Sequence, residues 1–177
     1  MGIATKYVIK FDKSLDADNT TLLGIEKSFY EKLGSRVFLT GWHSGKNESE
    51  VWDCVRKFWE AAVFASKDLG SLLHDKYTKI SVSNGSVDNK DSELFHVSVN
   101  QQFRTTIYVK LSPQSLAIVD NVAFAVFQYK WEYTNSRDGT VVPAAGLCSQ
   151  TWIRNDGSWL LLGESVNSEL DIVTYEN

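Results

Sequence analysis

Between Asn121 and Val166 three runs rich in β-branched and aromatic residues (NVAFAVFQYKWEYTN, AAGLCSQTWIR and SWLLLGESV) are separated by the pairs Asp138-Gly139 and Asp156-Gly157. Apolar strands flanking Asp-Gly carry a strong local hairpin signal, because both turn positions must accept positive φ. The second turn is tight, joining Trp152-Ile153-Arg154 to Trp159-Leu160-Leu161, whereas the first is looser and leaves through Pro143. The pattern predicts a long antiparallel meander. On its first strand Val122, Phe124, Val126, Gln128, Lys130 and Glu132 share one face, and Ala123, Ala125, Phe127, Tyr129, Trp131 and Tyr133 the other. A strand apolar on both faces is covered on both. Strict alternation then groups Cys148, Gln150, Trp152 and Arg154 on the next strand. On the last it groups Trp159, Leu161, Gly163 and Ser165 against Leu160, Leu162, Glu164 and Val166.

Upstream the period changes. Val51, Trp52, Val55, Phe58, Trp59, Ala62 and Val63 lie on one face of a helix capped by Asn47 or Ser49, with Glu50, Asp53, Arg56, Lys57 and Glu60 opposite. Such a helix needs a broad apolar surface, and the meander offers one. A short helix over Lys67–His74 and a strand over Tyr77–Ser83 follow, the strand ending at the Asn84-Gly85 turn. Residues 86–102 fit either a helix capped at Asp91-Ser92 or a strand alternating Phe95, Val97 and Val99. Arg104–Leu111 reads as a strand and Ser115–Val119 as another, with Asp120-Asn121 a bulge or turn. Residues 1–46 form an extension or lid with elements of its own: a strand over Thr5–Phe11, a helix through Leu22–Leu33 and a short strand over Arg36–Trp42.

Composition narrows the function classes. A chain of 177 residues with 43% hydrophobic and 23% charged positions fits one globular domain. The net charge is −4 and the 18 basic residues are scattered, so a nucleic-acid partner is not expected. Cys54 and Cys148 have no metal or redox spacing, and read as free thiols in a reducing compartment. No leader and no apolar run of membrane-spanning length is seen, which leads to the expectation of a cytoplasmic protein without a membrane partner.

The order of elements and the closing hairpin, Gln150-Thr151-Trp152-Ile153-Arg154-Asn155-Asp156-Gly157-Ser158-Trp159-Leu160-Leu161-Leu162, resemble the nuclear transport factor 2-like superfamily, and within it the SnoaL-like group. The helices around Trp52-Asp53 and Lys67-Asp68-Leu69 support this, and Thr105-Thr106-Ile107 is similar to the association domain of calcium/calmodulin-dependent kinases. The resemblance spans residues 47–168, leaving 1–46 as an extension and 169–177 as a tail. It implies an α+β cone, a strongly curved antiparallel or mixed sheet wrapped around two or three helices, with a pocket in its mouth. It also implies a homodimer through the sheet face. Members include isomerases, polyketide cyclases and dehydratases alongside non-catalytic modules, so the fold does not choose the function.

The ketosteroid isomerases of that superfamily need a carboxylate base, a tyrosine and a protonated acid. By position these fall at Val82 or Ser83, at Phe58 and at Gln150, none of which carries the group. Other candidates for acid/base work are His74 and Asp75 beside Tyr77, and the carboxylates Glu132 and Glu164, which would become useful if buried. His43 and His96 read as structural or exposed, and no metal set forms. The candidate ligand walls are Trp59, Tyr77, Tyr129, Trp131, Gln150, Trp152 and Trp159: aromatic surface with few polar groups, as small-molecule sites are lined. Core filling by the same rings is the alternative. The sequence thus points to a pocket for an apolar ring-bearing metabolite, carried or transformed by cofactor-free proton transfer as in an isomerase, cyclase or dehydratase. The competing reading is a dimerisation or adaptor module.

Overall fold

In the computed structural model, residues 37–39 and 46–168 are described. The expected strand at 5–11 and the helix through 22–33 lie outside them, as do His43 and the tail. The described elements run β1 (Val37–Leu39), α1 (Lys46–Val63), α2 (Leu69–Leu72), β2 (Leu73–Ser81), β3 (Ser86–Asn89), α3 (Lys90–Phe103), β4 (Arg104–Val119), β5 (Val122–Asn135), β6 (Val141–Asn155) and β7 (Ser158–Ser168). The seven strands form one mixed sheet in the order β1-β4-β5-β6-β7-β2-β3. The central ladders are antiparallel, while β1–β4 and β2–β7 are parallel. The sheet wraps around α1 and α3 as an α+β cone.

Helix α1 forms where the apolar stripe predicted it, and Val51, Trp52, Val55, Phe58 and Trp59 are buried against the sheet. It stops because Ala65 takes a left-handed φ of 40°, letting Ser66 N–H donate to Ala61 O at 2.9 Å, a Schellman closure without the usual glycine. The strand-or-helix ambiguity at 86–102 resolves as both: β3, then α3. Asn89 and Ser92 form a reciprocal capping box, so the cap lies two residues before the expected Asp91. Alternation of Phe95, Val97 and Val99 misleads because Phe95 faces solvent; the deepest side chain of α3 is Glu93.

The meander follows the turn chemistry. At Asn155–Ser158 both Asp156 and Gly157 have positive φ, 48° and 83°. Asp120, φ 52°, turns β4 into β5 directly, with Val119 paired to Val122. The two strands expected at 104–111 and 115–119 are one, β4, bent by register shifts after Thr106 and after Pro113, where the proline has no N–H to offer the ladder. The short helix is shorter than expected, four residues, and Leu73–His74 already belong to β2.

One shift in register changes the chemistry of the interior. Thr151 pairs with Gly163 but Trp152 with Leu161, so Leu162 is an extra residue in β7. Since one inserted residue exchanges the two faces of a strand, the alternation expected from sequence fails beyond it. Trp159 and Leu161 point inward, and so does Glu164, which strict alternation had set on the opposite face.

Candidate functional site

The narrow end of the cone is filled. Trp152 and Phe127 are fully buried, and Trp52 nearly so. Phe58 meets Trp152 edge-on at 6.5 Å, and Trp52 meets Phe127 at 6.2 Å. At the wide end the same elements leave a cavity of about 510 Å³. Its aromatic wall comes from α1 and β5, where Trp59 lies 5.0 Å from Tyr129, and Trp131 lies 5.0 Å from Tyr133. Trp131 is fixed by its indole N–H, which donates to Thr106 Oγ1 at 3.1 Å. Close passage of β7 shapes this wall too. A side chain at Gly146 would meet the backbone oxygen of Asn167 at 2.0 Å and the Tyr129 hydroxyl at 2.8 Å.

The opposite wall is ionisable. Glu164, inward-facing because of the β7 bulge, is 6% exposed and lines the cavity. Its Oε1 accepts from Gln150 Nε2 at 2.8 Å and from Cys148 Sγ at 3.2 Å, and its Oε2 accepts from Tyr77 Oη at 3.2 Å. Gln150 in turn accepts from Trp152 Nε1 at 3.2 Å, which fixes the amide so that its nitrogen faces the carboxylate. Burial and the nearby Glu164 charge push both the Tyr77 hydroxyl and the Cys148 thiol well up, so both remain protonated donors. Beside this group Lys79 donates to both oxygens of Glu93, at 2.9 and 3.0 Å. Burial raises the Glu93 carboxyl above the usual range, an effect that the Lys79 charge only partly offsets. Burial lowers the Lys79 ammonium, but Glu164 and Glu93 together outweigh it, and the net displacement is upward. Asp88 and His96 form a further pair at 3.4 Å on the rim.

The sequence candidates divide by location. Trp59, Tyr129, Trp131 and Glu164 line the cavity. Tyr77 and Gln150 lie behind Glu164 as its hydrogen-bond donors, and Trp152 closes the narrow end. Trp159 is 6% exposed, with the Arg154 guanidinium 4.9 Å above its ring and Arg154 paired to Glu50. His74, Asp75 and Glu132 are not cavity-lining residues. His74 Nδ1 accepts from Lys76 N–H, and exposed Asp75 pairs with Lys90 at 2.9 Å, a contact that lowers its pKa. Glu132 is half-buried and alternates with Lys130 and Gln128 away from the rings. Lys79 and Glu93 are not among the candidates that the sequence pattern singles out. Lys79 shared the Tyr77 face of its strand and was a readable signal. Glu93 gave none, since a buried carboxylate on a helix of doubtful existence looks like a surface residue. Among the described residues no three His, Cys, Asp or Glu side chains converge as a metal site requires, and no helix is long and apolar enough to cross a membrane.

Solved structures with this architecture share little sequence with the chain. A conserved protein from Planctomyces limnophilus superposes with a TM-score of 0.65 at 18% identity, covering 69% of this chain and 95% of its own. A ketosteroid isomerase-like protein from Erwinia carotovora atroseptica gives 0.62 at 13% identity, with 71% and 98% covered. A nuclear transport factor 2-like protein from Cytophaga hutchinsonii gives 0.60 at 17%, with 71% and 99% covered. No family model and no curated protein matches the sequence. The chain therefore has the nuclear transport factor 2-like fold, as its closing hairpin suggested.

Proposed function

We propose that the wide end of the cone binds a small ring-bearing molecule and moves a proton on it without a cofactor. The observation that carries this reading is the Lys79–Glu93 pair beside Glu164, all three on one side of a cavity whose other side is aromatic. Faces of Trp59, Tyr129 and Trp131 suit a flat apolar body. Glu93, whose carboxyl is raised above its ordinary range by burial and which lines the cavity with Lys79 on both of its oxygens, is the general acid/base. As a carboxylate Glu93 takes a proton from a carbon next to a carbonyl. The Lys79 ammonium stabilises the negative charge that develops on the carbonyl oxygen, and Glu93 then returns the proton to a neighbouring carbon. Glu164, held by three donors, keeps the Lys79 ammonium charged through the cycle. This is the proton bookkeeping of an isomerase, and with a leaving hydroxyl that of a dehydratase.

The test is a tryptophan-fluorescence titration with a panel of bicyclic and tricyclic ketones. It is followed by NMR in deuterated water of any that bind. The expected result is protein-dependent deuterium incorporation next to the carbonyl, lost in Glu93→Gln. Binding without incorporation would leave a carrier, and no binding across the panel would overturn the reading. A second reading, assembly through the convex face with another copy of the chain, is favoured by exposed Val122, Phe124 and Leu147 on adjacent strands β5 and β6. Sedimentation of wild type against Phe124→Lys decides it: a dimer converted to monomer supports this surface, and a monomeric wild type removes it.

A further inference from the structure

The geometry points to Arg104 as an anion anchor, so that the molecule taken by the cavity is a ring-bearing acid docked by its carboxylate; this rests on the ligand-binding reading above and narrows it. Arg104 lines the cavity at the start of β4. Its guanidinium carbon lies 4.9 Å from the centre of the Tyr133 ring and 5.7 Å from that of the Trp131 ring, cation–π distances that hold the group against the aromatic wall. Of the other charged side chains of the cavity, Lys79 is paired with Glu93 and Glu164 is held by its three donors, while Asp88 stands 3.4 Å from the His96 ring. Among the described residues the Arg104 guanidinium has neither an ion pair nor a hydrogen-bond acceptor, so its N–H donors are open to another acceptor. A planar fork with free donors is the geometry that receives a carboxylate in two parallel hydrogen bonds.

The placement of the charges also orients such a ligand. Strands β4 and β7 are separated in the sheet by β5 and β6, three strand spacings, or about 14 Å measured along the sheet. An anionic group is repelled from the Glu93 and Glu164 wall and drawn to the β4 side. The ring then lies along Trp131 and Tyr129, and the far edge of the molecule meets Lys79 and Glu93. A carboxylate at Arg104 would therefore present the opposite end of the ring system to the acid/base pair, a polarity that a neutral hydrocarbon could not acquire.

The experiment compares naphthoate with naphthamide, which share a ring system and differ in charge, by ligand-detected NMR titration of wild-type protein and Arg104→Gln. Naphthoate is expected to bind wild type at least about tenfold more tightly than naphthamide, the effect of one charge-assisted pair. Arg104→Gln is expected to erase that preference while still binding naphthamide, which shows that the cavity is intact. Equal binding of the two probes to wild type would overturn the anchor and leave the cavity reading standing. A preference for naphthoate that survives Arg104→Gln would overturn the assignment to Arg104. Binding of neither probe would overturn the cavity reading and the anchor together.

Discussion

The two ends of the cone are built from the same kinds of residue and do opposite things. Strand β5 passes through both. At the narrow end it presents Ala123 and Ala125, small enough for Trp152 on the neighbouring strand and the rings of α1 to fill the space, with Phe127 sealing the centre. A few residues later it presents Tyr129, Trp131 and Tyr133, beside the last turns of α1, and there the rings line a cavity. Side-chain size alone does not separate a core from a binding wall. The separation comes from the polar atoms that accompany the rings. At the narrow end Gln150 accepts the Trp152 indole N–H and donates to Glu164; at the wide end stand Lys79, Glu93, Glu164 and Arg104.

The comparison is broken most severely by truncating rings. Trp152→Ala should cost about 3–5 kcal/mol in urea denaturation, since its whole volume is enclosed. Trp131→Ala should cost less, about 1–2 kcal/mol for a half-buried ring and its hydrogen bond to Thr106, yet weaken ring-compound binding. Equal losses would mean that the wide end is as filled as the narrow one.

A second effect, smaller, concerns the ionisable wall. Lys79→Met leaves Glu93 buried without its partner and should cost about 2–3 kcal/mol at neutral pH. Because burial raises the Glu93 pKa, the folded state binds a proton more readily than the unfolded chain, whose carboxyl titrates near 4.5. Stability should therefore rise as pH falls from neutral toward that value, and the Lys79→Met penalty should shrink over the same window. A penalty independent of pH in thermal denaturation would place the loss in packing.

The smallest effect expected is a gain. Ala65 holds a left-handed φ at the end of α1, so Ala65→Gly should add about 0.5 kcal/mol, the relief of that conformation less the flexibility glycine adds to the unfolded chain. An unchanged or lower urea midpoint would count against strain at this cap.

What the sequence made legible follows from how local each determinant is. The Asp156-Gly157 hairpin and the α1 stripe are written within a few residues, and both formed as the pattern predicted. The bulge at Leu162 was not readable, because it depends on how β7 meets β6, and nothing in LLLGES distinguishes an inserted residue from regular alternation. Yet that bulge brings Glu164 into the cone. Helix α3 was ambiguous for a related reason: its inward position is Glu93, whose burial makes sense only once Lys79 stands across from it. The aromatic half of the site was thus visible in the chain, and much of the ionisable half came from tertiary pairing.

The most direct test of the division between the two ends reads the indole N–H signals of the six tryptophans in a proton–nitrogen correlation spectrum, assigned by single Trp→Phe variants, during titration with naphthoate. The signals of Trp59 and Trp131 should move in proportion to occupancy, while those of Trp52 and Trp152 stay in place. Movement of the Trp52 and Trp152 signals with Trp59 and Trp131 unmoved would contradict the account, because the binding space would then lie at the end that it describes as closed.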